Sequence, residues 1–331
     1  MKCSAITKSF FSFAFALLVT ACDSTHSEKN SIRLAHNLDI QHPVHKSLLY
    51  MNDVLVDLSK GKMQIVIYPS GQLGSEREII ELIQIGSLGM TKVSASSLEA
   101  FIPEMKLFSI PYLFSDNTHY WDVLNSDIGR DILNAGVNAR IRGLGYFDAG
   151  SRSFYTTQKR ITQPSDLEGL KIRVMNSQSA VDMVNLMGGS ATPVSWGELY
   201  TSLQQGIVEA AENNPPSFYY SKHYEVSKYF TLDEHTSIPD VIIIGTHFWD
   251  NLSQQEQVWL MQAMDQATAF QRQLWEESTR MSLQEVAKAG VEIIKPDKTL
   301  FKEGVKLIYE ELKGTYLDTL VTNIQMKEQD K

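Results

Sequence analysis

Disulfides are the first thing this chain of 331 residues does without. Its two cysteines, Cys3 and Cys22, both lie near the N-terminus. The body therefore carries no thiol and must be held by core burial, which removes roughly 75% of the unfolded surface in a chain of this size. Basic runs are missing too. Acidic residues outnumber basic ones 39 to 30, for a net charge of −9, and no Lys/Arg cluster is interleaved with aromatics, which excludes nucleic acid as a partner. After residue 22 no apolar run approaches the ~20 residues of a membrane-spanning helix. Catalytic signatures are absent as well: no G-x-S-x-G, H-E-x-x-H, phosphate-loop or C-x-x-C motif occurs. Gly143-Leu144-Gly145 lacks the third glycine of a dinucleotide fingerprint, and the glycine-rich run 71–75 lacks the lysine of a phosphate loop. The histidines are scattered. His42 and His45 stand three apart at a helix start, a spacing open to a metal but better suited to capping and surface roles. These absences describe a binding protein rather than an enzyme, with no cofactor and no metal.

What is present begins with an export signal. Lys2 and Lys8 precede an apolar stretch over residues 9–19, the length of a secretory core and too short to cross a bilayer. Val19-Thr20-Ala21-Cys22 resembles a bacterial lipobox. Residues 1–21 are thus expected to be a cleaved signal peptide. Residues 22–31 are expected to be an acylated Cys22 followed by a polar tether. An ordinary signal peptide that happens to contain a cysteine is the alternative. Asp23 after Cys22 resembles an inner-membrane retention signal, so the expected location is the periplasm, tethered to the inner membrane.

The body reads as α/β. Residues 32–36, 63–68 and 88–93 have strand character. Between the first two, Val44, Leu48, Met51, Leu55 and Leu58 recur at helical spacing. Ser75 and Glu78 form a capping box for the next helix. This β-α-β-α-β order predicts a mostly parallel sheet. The same grammar resumes with strands at 142–148, 153–157, 171–174, 191–194 and 207–211, so a second α/β domain is expected from about residue 150. Residues 252–289 contain neither glycine nor proline, and Ser253 with Glu256 opens them with a second capping box. A helix of that length reaches about 55 Å, more than one domain. It predicts a beam across both domains, an interruption near 278–281 being the alternative. The expected division is 32–149 plus about 240–278 for domain I, and 150–239 plus about 279–331 for domain II.

Ligands of open α/β sheets bind outside the carboxyl ends of the strands. Polar residues at such ends are therefore the site candidates. Arg173 lies in a short strand between apolar neighbours and Arg152 starts another; each guanidinium presents a planar fork that matches a carboxylate, or forms a structural ion pair. Trp196 suits stacking on a sugar ring or filling core. Asn213 and Asn214 suit capping or binding ligand hydroxyls.

Five short runs, in order, resemble the extracytoplasmic solute-binding subunits of TRAP transporters, the DctP family: YPSGQLGSER at 68–77, IPYLF at 110–114, LEGLKIRV at 167–174, WGELY at 196–200 and ENNP at 212–215. The resemblance covers roughly 31–325. It implies a two-domain periplasmic-binding-protein clamshell. Arg173 would bridge to the ligand carboxylate, seconded by Arg152. Asn213 would orient Arg173 or the carboxylate, Asn176 would assist, and Trp196 would pack on the ligand body. Asn37, Glu76 and Ser94 would meet ligand hydroxyls from domain I, with Phe218 a further pocket candidate. The implied partner is a permease of a small and a large membrane subunit. Glu209-Ala210 departs from the family's usual Asp-Gly. The run 212–218 together with Trp196 looks most like the branch that binds hexuronates such as glucuronate or galacturonate, with a C4-dicarboxylate as the alternative ligand.

Overall fold

The computed structural model describes residues 30–329; the expected signal peptide, Cys22 and nearly all of the expected tether lie outside them. Among the described residues, eleven strands form two sheets. The first contains β1 (Asn30–Ala35), β2 (Met63–Tyr68), β3 (Met90–Ser94) and β4 (Ile141–Phe147). The second contains β5 (Arg152–Thr156), β6 (Lys171–Val174), β7 (Ser190–Pro193), β8 (Ala210–Asn213) and β9 (Tyr229–Thr236). β10 (Asp240–Gly245) then returns to the first sheet and β11 (Glu292–Ile294) to the second. The orders are β2-β1-β3-β10-β4 and β11-β9-β5-β8-β6-β7.

Each sheet is parallel where the β-α-β grammar dictates: β1 pairs with β2 and β3, and β6 with β7 and β8. β11 also runs parallel to β9, yet neither sheet is parallel throughout. β10 runs antiparallel to both β3 and β4, and β5 antiparallel to both β8 and β9. The cause is the chain path. It leaves the first sheet from β4 into β5 and comes back from β9 into β10, so β4 runs against β10 and β5 against β9. Because β4 lies beside β10 and β5 beside β9, the two short linkers, 148–151 and 237–239, are adjacent and form a hinge.

The long helix is one uninterrupted element, Gln254–Lys288, and both bonds of its Ser253/Glu256 capping box are formed. Leu260, Ala263, Met264, Ala267 and Trp275 pack in the core of the first sheet, and Val286 packs in that of the second. It thus spans both domains of a clamshell. Its Gln271, fully buried, accepts from Asp148 N and donates to Asp148 O, both at 2.8 Å, pinning the first hinge linker. Gly150 in that linker has φ +57°, and a Cβ there would stand 3.0 Å from Trp275 Nε1.

One part of the chain departs from the expected division. Residues 279–331 do not all belong with the second sheet. Phe301 and Val305 do, but Val321 and Ile324 of the helix Tyr316–Gln329 pack into the first sheet's core, where His119 Nε2 meets Ile324 O at 3.1 Å. Apolar residues at 321 and 324 need a core, and the first domain supplies it.

Candidate functional site

A cavity lies between the two sheets at the edge where their parallel strands end. Asn37 follows β1, Ser94 ends β3, Asn176 follows β6, Trp196 follows β7 and Asn213 ends β8. The antiparallel strands bring their first residues to this same edge. Arg152 opens β5, whose Ser153 pairs with Asn213, and Asp240 opens β10 opposite Ser94.

Arg173 is buried, and its Nε donates to Val194 O at 2.8 Å. That bond fixes the guanidinium, yet its Nη1, also buried, has no hydrogen-bond partner. It makes no ion pair with any described residue. The Trp196 ring lies 5.7 Å from it and 5.0 Å from the His223 ring. Burial lowers the guanidinium's basicity, a cost that an anion in the cavity would relieve.

Arg152, also buried, is by contrast engaged. It pairs with Glu212 through Nε and through Nη2 at 2.8 Å, and Nη1 donates to Asn213 Oδ1 at 3.1 Å. Asn214 N donates to the same Oδ1 at 2.8 Å. Two donors on that oxygen assign the amide orientation, leaving Nδ2 of Asn213 as a donor. Asn213 therefore orients Arg152, not Arg173 as one expected role had it. Burial opposes ionisation of Glu212, but Arg152 and then His235 hold its carboxyl down at about 2.

The facing wall comes from the first sheet. Glu76 accepts from Ser94 N at 3.3 Å and from the Ser97 hydroxyl. Buried Lys92 lies between two carboxylates, with Nζ 3.1 Å from Asp240 and 3.6 Å from Glu76. Asn37 donates to Gly74 O at 3.1 Å, which leaves its Oδ1 a buried acceptor with no partner.

The structure thus gathers Arg173, Arg152, Asn213, Asn176, Trp196, Asn37, Glu76 and Ser94 around one cavity. Phe218 is not on its wall. It is fully buried in the second sheet's core, with its ring 4.7 Å from those of Tyr155 and Phe230. Lys92 and Asp240 line the cavity without having been singled out from the sequence. A lysine inside the apolar strand β3 was a usable signal, since a buried lysine calls for carboxylate partners. Asp240 carried none, because β10 was not recognised as a strand. His42 and His45 hold no metal cluster: among the described residues no group of three or more His, Cys, Asp or Glu is placed to bind an ion. His42 instead caps its helix and meets Ser217 Oγ at 3.3 Å.

A cavity lined by a buried guanidinium, in the cleft of a two-domain α/β protein, agrees with the chain's relatives. The family description "Bacterial extracellular solute-binding protein, family 7" matches residues 34–315. An uncharacterized protein of Salmonella typhimurium, YiiZ, is 36% identical over 303 residues, covering 90% of this chain and 91% of that one. A TRAP periplasmic solute-binding protein of Anaerococcus prevotii, solved with bound glucuronate, is 33% identical with a TM-score of 0.89, covering 91% of this chain and 99% of that one. Its Bradyrhizobium counterpart, solved with galacturonate, is 36% identical with a TM-score of 0.87, covering 89% and 99%. The chain belongs to the DctP family of extracellular solute-binding proteins, of the TRAP type.

Proposed function

We propose that this protein captures a monocarboxylate sugar acid, a hexuronate such as glucuronate or galacturonate, and delivers it to a TRAP permease of a small and a large membrane subunit. The observation that carries this reading is the division of charge across the cavity. Arg173 is a fixed guanidinium with an unpartnered buried donor. The wall opposite offers acceptors instead: Glu76, Asp240 and Asn37 Oδ1, with Lys92 already shared by two carboxylates. One carboxylate and several hydroxyls complement such a pair of walls. In this reading Arg173 holds the carboxylate and Trp196 packs on the sugar ring. Asn176 and Asn213 donate to oxygens beside the carboxylate, and Asn37, Glu76 and Ser94 read the hydroxyls. Arg152 acts from behind, through Asn213. The glucuronate and galacturonate in the related structures support the same ligand class.

A C4-dicarboxylate is the second reading, favoured by the presence of two arginines. It asks for two free cations, whereas Arg152 is already paired with Glu212. A thermal-shift screen separates the two. Ligand at a hundred times its Kd adds about 2.7 kcal/mol of stability, so a uronate should raise Tm clearly. Stabilisation by succinate or malate and by no uronate would overturn the choice. Recovery of the ligand unchanged after long incubation is expected of a binding protein.

The reading places the protein in the periplasm, with Cys22 acylated and anchored at the inner membrane. Several acyl chains at ~0.8 kcal/mol per buried methylene hold firmly where one does not. Intact mass of membrane-extracted protein tests this, and an unmodified Cys22 rejects it.

A further inference from the structure

We propose that Glu99 is a positioning residue for ligand capture: its carboxylate, carried by the first domain, receives the N-terminus of the helix Gln178–Leu186 of the second domain, and this latch holds the cleft shut with Asn176 against the ligand. The proposal rests on the sugar-acid capture proposed above.

Glu99 follows the short helix Ala95–Leu98, which continues directly from β3. It is buried, and its partners are serine hydroxyls rather than a cation. The two carboxylate oxygens divide between the domains. Oε1 accepts from the Ser109 hydroxyl of its own domain, whose oxygen lies 2.7 Å from Ser96 Oγ. Oε2 accepts across the cleft, from Ser177 Oγ and from Ser179 Oγ, both at 3.0 Å. Ser177 Oγ also accepts from Ala180 N at 3.1 Å and so caps its helix, which leaves its one proton for Glu99.

The rest of this turn is docked as well. Met175, the residue after β6, is buried in the core of the first domain with Leu98 and Met105. Asn176 lies between Met175 and Ser177 and lines the cavity. A turn tied on both sides of Asn176 fixes where that side chain stands. Burial pushes the Glu99 carboxyl up, and the serine hydroxyls oppose this. A negative charge at a helix N-terminus is favourable in addition. Opening the cleft separates Oε2 from both serines, so these bonds favour the closed form alone and shift the balance toward it.

The test compares the purified wild type with Ser179→Ala, Glu99→Gln, Glu99→Ala and the double variant Glu99→Ala/Ser179→Ala. Dissociation of D-glucuronate and D-galacturonate is followed by stopped flow. Ser179→Ala keeps the helix cap at Ser177 and should speed dissociation about threefold, and Glu99→Ala about tenfold or more. Association should stay within about twofold of the wild type. Glu99→Gln retains an acceptor oxygen and should recover part of the loss. In the double variant Ser179→Ala should add almost nothing to Glu99→Ala. Unchanged dissociation in Ser179→Ala and Glu99→Ala, or two effects that simply multiply, overturns the proposal. Amide exchange over residues 175–180 needs no ligand. First-turn amides have no carbonyl partner in their own helix, so docking against the first domain protects them, and exchange should be about tenfold faster in Glu99→Ala. Equal exchange rejects the latch, whereas failure of both uronates to bind counts against the ligand reading alone.

Discussion

In the proposed reading Arg173 holds the ligand carboxylate, and its neighbours explain why an arginine suits that role. Val194 O takes Nε and leaves the terminal fork facing the cavity. Lysine offers a point charge without that fork. Arg173→Ala should abolish binding of any carboxylate. Arg173→Lys should weaken it by about 2 kcal/mol or more, within the range for breaking a buried charge pair; full affinity in Arg173→Lys would contradict a bidentate contact. The buried histidines divide by their neighbours. His36 and His223, buried near cations, are held down to about 3 and are neutral in the fold, whereas His235 between carboxylates stays charged. Unfolding below pH 6.5 lets the first two take up protons, so stability should fall as pH drops from 7 to 5. Glu212 adds a lower limb. Its folded value near 2 lies below the ordinary 4.5, so its contribution is present above pH 4.5 and lost as pH falls toward 2, on the order of 3 kcal/mol. A Tm series against pH should show both declines, and Glu212→Gln should keep the first and shrink the second, the remainder coming from carboxyls such as Glu78 and Asp166 that their hydrogen bonds also hold below the ordinary range.

At the scale of elements, the long helix and the hinge work together. Gln271 satisfies both backbone groups of Asp148, and Asp148 Oδ1 in turn accepts from Gly150 N at 2.7 Å. The linker between β4 and β5 is thereby tied to the beam that crosses both domains. Gln271→Leu strands a buried donor and a buried acceptor, so it should cost about 2–4 kcal/mol, read as a lower midpoint in urea unfolding. A variant as stable as the wild type would mean that water replaces both bonds.

For the whole molecule, two sheets with separate cores meet at a hinge and share a cavity, which is the geometry of closure around a ligand. Solution scattering should show a smaller radius of gyration on adding a uronate that binds. An unchanged radius with saturating ligand would argue against capture by closure. The helix Tyr316–Gln329 anchors the end of the chain to the first domain after the intervening segment has packed on the second. It is a further tie between the two bodies besides the hinge linkers and the long helix.

What the sequence determined by itself is local. Capping boxes at Ser75 and Ser253, the helical spacing of 44–58, and the glycine-free run after Leu252 specify their elements because caps and periodicity act within a few residues. The polar strand-end residues were also legible, since they follow short apolar strands. Only the tertiary structure decided the rest. It brought β10 into the first sheet, and with it Asp240 to the cavity beside Lys92. It sent Phe218 to the core, the last helix back to the first domain, and Arg152 to Glu212. Each of these depends on partners far away along the chain, such as Arg152 and Glu212, 60 residues apart. Local composition carries no record of such a pairing; the two crossings between sheets create it.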